Sequence, residues 1–362
     1  MSKPLKVGMI GAGGIARAHM TPYLEHPDRV KLVAICDMVE PLAQAYANDA
    51  GVDTVYTDID DMLHNADIDA VDICTGHAQH APNTVAAAEA GKHVLVEKAM
   101  SNTLQGCRDM VAAADKAEVT LMVSQQLRYS ADATAVKKIV DDGKLGDIQG
   151  VRNHIIMQGP DKSWMNDGSL GGGVLLLNSI HHIDLLRYYV GDVKRVMAFC
   201  KAFQPQMVNG AEDLVTATLE FENGAIGDIF ASWTSYLTPE HASYLLLGSQ
   251  GTIHSGPYLG DGPRSPFAHF GTMMAAYKEE LDPNNESDRR RRIHPEFEPI
   301  DTSSTNMPSY NYFVNEVLHF EECCRTGNEP ITSGRDNIES MKVAFGMFES
   351  SRTGKAVDLD TL

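Results

Sequence analysis

The chain has 362 residues, enough for two domains that each bury a core without disulfide staples. Its 49 Asp and Glu against 30 Lys and Arg leave a formal charge of −19, which speaks against nucleic-acid or anionic-membrane binding and for a neutral substrate or a cofactor held by backbone. Six cysteines without a CxxC pair outline neither a disulfide framework nor a zinc site, no run reaches about 18 apolar residues, and the first apolar run is too short for a signal peptide, so a reduced cytoplasmic home is expected.

From the N-terminus, short β-branched runs alternate with helical patterns: KVGMI, an Ala-rich segment, KLVAICD, PLAQAYANDAG, AVDICTG, a further helix, and KHVLVEK. This rhythm predicts an α/β unit over residues 1–126, a doubly wound parallel sheet of the Rossmann type. In MIGAGGIARAH, where the first strand meets the first helix, Gly11, Gly13 and Ala16 form a GxGxxA arrangement, with Gly14 and Ile15 between them. Glycine at the first place permits the turn, glycine at the second lets a pyrophosphate approach the backbone, and alanine allows close helix packing. The helix N-terminus then offers free N–H groups and about half a positive charge to the phosphates. KLVAICD ends on Asp37, placed to bind both hydroxyls of an adenosine ribose. A glycine turn followed by an N-cap aspartate would use the same letters; the strand–turn–helix setting favours a dinucleotide. Asp37 repels a 2′-phosphate, and Met38, Val39 and Glu40 supply no cation, so NAD is expected rather than NADP.

Around VTLMVSQQLRYS the pattern changes, and from about Gly146 the strands lengthen, as in IQGVRNHIIMQG, VKRVMAFCKAF and ASYLLLGSQGTIHSG. Residues 127–362 are therefore expected to form an α+β domain with a largely antiparallel sheet, and Asn223-Gly224 marks a hairpin within it. Leu259 to Pro308, rich in Pro, Gly, Asp and Arg, predicts a long excursion, and its basic run Arg289 to Arg292 is read as a solvated loop face. Two helical patterns, YNYFVNEVLHFEECCRTG and NIESMKVAFGMFESSRTG, close the chain.

The stretch GGGVLLLNSIHHIDLLRYY, Gly171 to Tyr189, predicts a buried helix from Val174 that carries two adjacent histidines. Neighbours on a helix point about 100° apart, so His181 and His182 cannot share one environment. One of them is a candidate catalytic base; the alternative is a packed histidine satisfied by Asp184. A metal held by His181, His182 and Asp184 would need further ligands that the sequence does not announce, and none is expected.

The GxGxxA turn, VDICTGHAQH, AAAEAGKHVLVEKAMS and the GGG-to-HxxD segment together resemble the Gfo/Idh/MocA oxidoreductase family, over essentially the whole chain. The resemblance implies a Rossmann domain joined to an open-faced sheet domain, NAD(P)-linked oxidation or reduction of sugars, glycosides and cyclitols, and a homodimer or homotetramer formed through that sheet. It places Glu97 and Lys98 on the family's Glu-Lys-Pro, with Ala99 in place of the proline. Lys98 leaves a strand's C-terminal end, where its ammonium can hold a substrate hydroxyl and stabilise alkoxide character. It also implies that Thr75, His77, His80 and Gln126 lie near the nicotinamide half of the cofactor, and that Arg128 and Trp164 lie near the substrate. The family usually has Asp four residues before the helix histidine, whereas Leu177 stands four before His181. Asn178 is three before His181 and four before His182, so two registers are open; the HxxD spacing favours His181 as base, with His182 at the pocket and Asn178 as its polar partner. Two other outcomes stand beside a plain dehydrogenase. The enzyme could retain and recycle NAD for epimerisation, elimination or glycoside cleavage, or the chain could be a non-catalytic NAD-responsive regulator, which would have no use for Lys98 and His181.

Overall fold

The computed structural model describes residues 3–160, 163–234, 241–255, 273–277, 284–287, 296–305, 307–309 and 311–362. Most of the 259–308 excursion, including the basic run Arg289 to Arg292, lies outside the described residues.

The first unit alternates β1 (Leu5–Ile10), α1 (Ala16–Glu25), β2 (Val30–Cys36), α2 (Glu40–Ala50), β3 (Val55–Tyr56), α3 (Ile59–Asn65), β4 (Ala70–Ile73), α4 (His77–Glu89), β5 (His93–Glu97), α5 (Leu104–Ala117) and β6 (Leu121–Ser124). The strands pair in parallel in the order β3-β2-β1-β4-β5-β6. A parallel sheet is covered on both faces, which is why β4 and the end of β5 are buried throughout rather than alternating. The order reverses between β1 and β4, the switch point that opens a crevice at the strands' C-terminal ends. Asp58 caps α3 and Thr103 caps α5, each accepting a backbone N–H, whereas α1 and α4 have no side-chain cap. Both uncapped ends lie at the crevice.

The second unit contains α6 (Ala131–Asp141), β7 (Ile148–Ile156), α7 (Ile180–Val190), β8 (Val193–Lys201), β9 (Leu214–Phe221), β10 (Ile226–Ser232), β11 (His241–Gly248), β12 (Gly251–Ser255), β13 (Met273–Tyr277), β14 (Glu298–Pro299), α8 (Tyr312–Thr326), α9 (Gly334–Thr353) and β15 (Val357–Asp358). Its strands form one sheet in the order β14-β13-β12-β11-β7-β10-β9-β8-β15, antiparallel except where β7 meets β10. The expected hairpin is present, with Gly224 at φ +87°. Val196, Ala198, Val215, Ala217, Ile229 and Leu246 bury one face beneath α7 and α9, and the other presents Phe199, Ile226 and Leu247. Helix α8, though late in sequence, packs on α1: Arg29 pairs with Glu321, and the Val123 N–H donates to the Thr332 carbonyl at 2.9 Å. The two C-terminal helices therefore pack against both units.

The helix expected from Val174 begins differently. Leu175–Ser179 form a wide π turn, and α7 starts at Ile180. Such insertions shift the side-chain register of the helix beyond them and recur at functional sites.

Candidate active site

At the end of β1 the chain turns through Gly11, whose φ of +96° suits glycine and whose added Cβ would lie 2.9 Å from the Cys74 backbone. An added Cβ at Gly13 would meet nothing within 4 Å, so this is where a pyrophosphate can approach the main chain. Asp37 is held at the rim of the crevice: Oδ2 accepts the Ala12 N–H and Oδ1 the Val39 N–H, both at 2.8 Å. A cavity of roughly 910 Å³ runs from this end, past Thr75 and His77, to Lys98, Trp164 and Leu177. The bare N-terminus of α1, the open approach at Gly13 and the rim carboxylate fit a dinucleotide. Asp58 and Asp60 also line the adenosine end, and Lys98 is the only lysine or arginine on the cavity wall among the described residues. Arg17, the nearby candidate on α1, is engaged by Asp49 and lies over the Tyr46 ring.

β5 carries Lys98 to the inner end of the cavity, and the Lys98–Ala99 peptide is cis. The ammonium donates to the Leu177 carbonyl at 2.9 Å; burial pushes its pKa below the ordinary lysine range, with Glu97 opposing. His77 donates from Nδ1 to the Gly171 carbonyl at 2.8 Å and meets the Trp164 ring edge-on. Burial, then His80 and Lys98, push its pKa down to about 3, so it is a neutral imidazole at working pH. His80, expected at the cofactor, does not line the cavity: its Nδ1 lies 2.8 Å from the Ala99 carbonyl and its Nε2 3.0 Å from the Thr75 carbonyl, tying together the loops after β4 and β5.

His181 and His182 occupy separate environments, and neither lines the cavity. His181 Nδ1 lies 3.0 Å from Gln125 Oε1 and its Nε2 lies 3.4 Å from the Gln126 amide nitrogen. Gln126 is thus a neighbour of the histidine rather than of the cofactor cavity. His182 Nδ1 lies 2.8 Å from the Asn153 amide, on the sheet side of α7. Asp184, the partner proposed for a packed histidine, is taken by Arg128, whose Nε and Nη2 donate to it at 2.5 and 2.6 Å while Asp336 lies 2.8 Å away. Arg128 is therefore corrected from a substrate contact to the centre of a buried ion-pair cluster, 4% exposed and out of the cavity. Asn178 is corrected too: its Oδ1 accepts from the Trp233 indole at 2.9 Å, and the group beside His181 is Gln125. Leu177, one turn before His181, forms cavity wall.

His19, Asp72 and Cys74 form the only trio among the described residues with ligand atoms close enough for a metal. The three are hydrogen-bonded to one another: His19 Nδ1 lies 3.0 Å from both Asp72 oxygens and the Cys74 thiol donates to Asp72 Oδ1 at 3.5 Å, and burial, then Asp72, push the thiol pKa up to about 12.

The family model described as "Oxidoreductase family, NAD-binding Rossmann fold" matches residues 5–125, and the "GFO/IDH/MocA C-terminal domain" matches residues 133–254. The chain belongs to the Gfo/Idh/MocA oxidoreductase family. It is 27% identical to D-apiose dehydrogenase of Paraburkholderia graminis, over 99% of this chain and 91% of that one. It is 25% identical to scyllo-inositol 2-dehydrogenase (NAD(+)) of Bacillus subtilis, over 99% and 98%. Among solved structures, the WlbA dehydrogenase of Bordetella pertussis in complex with NADH and UDP-GlcNAcA superposes with a TM-score of 0.81 at 26% identity, covering 99% and 98%. Levoglucosan dehydrogenase in complex with NADH has a TM-score of 0.85 at 22% identity, covering 99% of both chains, and shares the fold. The protein is accordingly an oxidoreductase with an NAD-binding Rossmann domain.

Within this Gfo/Idh/MocA chain, sequence reasoning missed Asp58, Asp60, Gln79 and Asn83 on the cavity wall and Gln125 beside His181. Asp58 had a usable signal, since an aspartate before an apolar helical run is a capping residue and so marks a turn at the sheet's ligand-binding end. Gln125 had none beyond its place after β6.

Proposed function

We propose that the chain transfers a hydride between a secondary alcohol of a sugar, glycoside or cyclitol and the nicotinamide of NAD. One observation carries this reading: a single cavity joins the dinucleotide turn at Gly11 to the Lys98 ammonium. Bound NAD supplies the hydride acceptor. Lys98 donates to the substrate hydroxyl and stabilises the alkoxide, and the Leu177 carbonyl holds it in place. His181 takes the hydroxyl proton at Nε2, with Gln125 accepting its Nδ1–H and so fixing the tautomer that leaves Nε2 basic. Trp164 shapes the substrate end, His182 backs it from the sheet side of α7 beside Asn153, and Asn178 supports it through Trp233. The same reading includes a homodimer or homotetramer through the sheet face bearing Phe199, Ile226 and Leu247, which are 55%, 62% and 41% exposed. It includes a cytoplasmic setting, supported by six unpaired cysteines, and no helix among the described residues is long and apolar enough to cross a membrane.

A panel of polyols and glycosides screened for NADH absorbance tests this. Turnover is expected with a member of the panel. Lys98→Met should abolish most of it while leaving NAD affinity within a few fold, and His181→Ala should cost about 100 to 10,000-fold. His182→Ala should act mainly on KM. NAD that stays bound through gel filtration without net reduction on any substrate would overturn the dehydrogenase reading in favour of a retained cofactor, and a dead His182→Ala beside an active His181→Ala would overturn the choice of base.

A further inference from the structure

From the cavity wall, which Glu97 reaches, down into the core runs a cluster of ionisable groups to which the proposed hydride transfer assigns no role. His19 on α1, Asp72 on β4 and Glu97 on β5 are 0%, 0% and 3% exposed. His19 Nδ1 lies 3.0 Å from both Asp72 oxygens, and Nε2 lies 2.9 Å from Glu97 Oε1. Tyr23 donates to Asp72 Oδ2 at 2.8 Å, and the Lys98 backbone N–H donates to Glu97 Oε2 at 3.1 Å. An ionised carboxylate only accepts hydrogen bonds, so with both carboxyls ionised the ring donates from both nitrogens as an imidazolium. In that state the charges alternate from the core to the cavity: Asp72 negative, His19 positive, Glu97 negative, Lys98 positive.

We propose that His19 is a positioning residue for the reaction: by bridging Asp72 and Glu97 it keeps Glu97 anionic and fixed, and Glu97 in turn keeps Lys98 cationic at the cavity. The step rests on the catalytic role proposed for Lys98. Without a cationic partner, a carboxylate at this depth takes up a proton rather than bear its desolvation. Beyond His19, the groups that draw Glu97 toward its anionic form are Lys98 and, more weakly, His80. Glu316 faces the cluster from α8; burial raises its pKa well above the carboxylate range, so it is neutral, and its Oε2 accepts from Ser124. His77 and His80 face Lys98 from α4, and burial lowers the pKa of both. Cys74 on β4, Tyr23 on α1 and Tyr312 on α8 are likewise neutral, each with its pKa raised first by burial. Against burial, Asp72 raises the His19 pKa, and His19 then lowers that of Glu97. The placement has a second consequence. His19 is one turn into the helix whose N-terminus faces the dinucleotide, so one ring ties the phosphate-binding helix to the strand that delivers Lys98.

The test tracks Lys98 directly in the full chain: the pH dependence of its modification by trinitrobenzenesulfonate, read by peptide mass spectrometry, with Lys98→Met as the blank. In His19→Asn, Glu97 becomes protonated and Lys98 loses its attraction, so the midpoint of modification should fall by about one pH unit and reactivity below it rise several-fold. The NAD dissociation constant should stay within about threefold while kcat falls. Glu97→Gln removes the same charge with less change of shape and should give the same shift with His19 intact; it decides the matter if His19→Asn fails to fold. In the double variant the two shifts should not add. An unchanged Lys98 midpoint in folded Glu97→Gln overturns the proposal, as does a ¹⁵N spectrum showing one bare His19 nitrogen at about pH 8. If Lys98→Met keeps its turnover, the catalytic reading fails instead, and the labelling result stands apart from it.

Discussion

Glu212 makes the sharpest test of the physical reasoning, because one buried group should leave a slope in stability against pH. It sits just before β9, 3% exposed, with Oε1 accepting the Leu175 N–H at 2.8 Å at the start of the π turn, and its own carbonyl accepting the Val174 N–H at 2.9 Å. Oε2 has no hydrogen-bond partner among the described residues, and Gly173, at φ +109°, passes so close that an added Cβ there would meet the carboxyl at 2.5 Å. Burial pushes the pKa from its ordinary 4.5 up to about 8. The native state therefore holds one proton more than the unfolded state between those values, and stability falls as pH rises through that window, by about 1.4 kcal/mol per pH unit for one proton. The slope depends on the proton count; the size of the shift only sets where it ends. Glu212→Gln keeps an acceptor for Leu175 and cannot ionise. Urea denaturation of both proteins between about pH 5.5 and 7.5 should show the variant gaining on the parent by roughly 2 to 3 kcal/mol across the range, other titrations cancelling in the difference. A difference that does not change with pH would refute the assignment of a protonated Glu212.

At the adenosine end, the parent should bind NAD at least about tenfold more tightly than NADP, since a 2′-phosphate about 5 Å from Asp37 meets roughly 3 kcal/mol of repulsion per unit charge before screening. Asp37→Ala should bring the two within about threefold in calorimetric titration, unless Asp58 and Asp60 hold the preference between them, in which case the ratio survives and Asp37 is not its source. Arg128→Met should destabilise the fold by about 3 to 5 kcal/mol by leaving Asp184 unpaired in the core, with NAD affinity and KM little changed in the folded fraction. A stable variant with a raised KM would return Arg128 to the substrate.

What could be read from the sequence is what short-range chemistry determines. Gly11, Gly13 and Asp37 announce a dinucleotide because the turn, the close backbone approach and the rim carboxylate are each set within one strand–turn–helix unit. The parallel order and the NG hairpin arise from local periodicity in the same way. Apart from His80, which is tied to the nearby Thr75 and Ala99 carbonyls, the errors fall on residues whose partners come from far along the chain. Arg128 and Asp184 are 56 residues apart, as His181 and Gln125 are, and Asn178 and Trp233 are 55 apart. Spacing on a helix tells which residues share a face, and says nothing of what stands opposite that face.

The Leu177 departure shows how the two levels meet. Counting four residues back from His181 assumes an unbroken α-helix, but the π turn over Leu175–Ser179 adds a residue to the turn just where that count is made. Leu177 meets the lysine all the same, through its carbonyl at 2.9 Å rather than through a side-chain carboxylate. The backbone oxygen supplies an acceptor without a formal charge, so it holds the ammonium while leaving burial to lower the Lys98 pKa. The negative charge that opposes this lowering is Glu97, its neighbour in sequence, which His19 holds from below. A chain that lacks a carboxylate at 177 thus depends more heavily on the adjacent Glu97-Lys98 pair, and the loss of lysine basicity on replacing Glu97 should be larger here than in relatives that keep an aspartate at the turn.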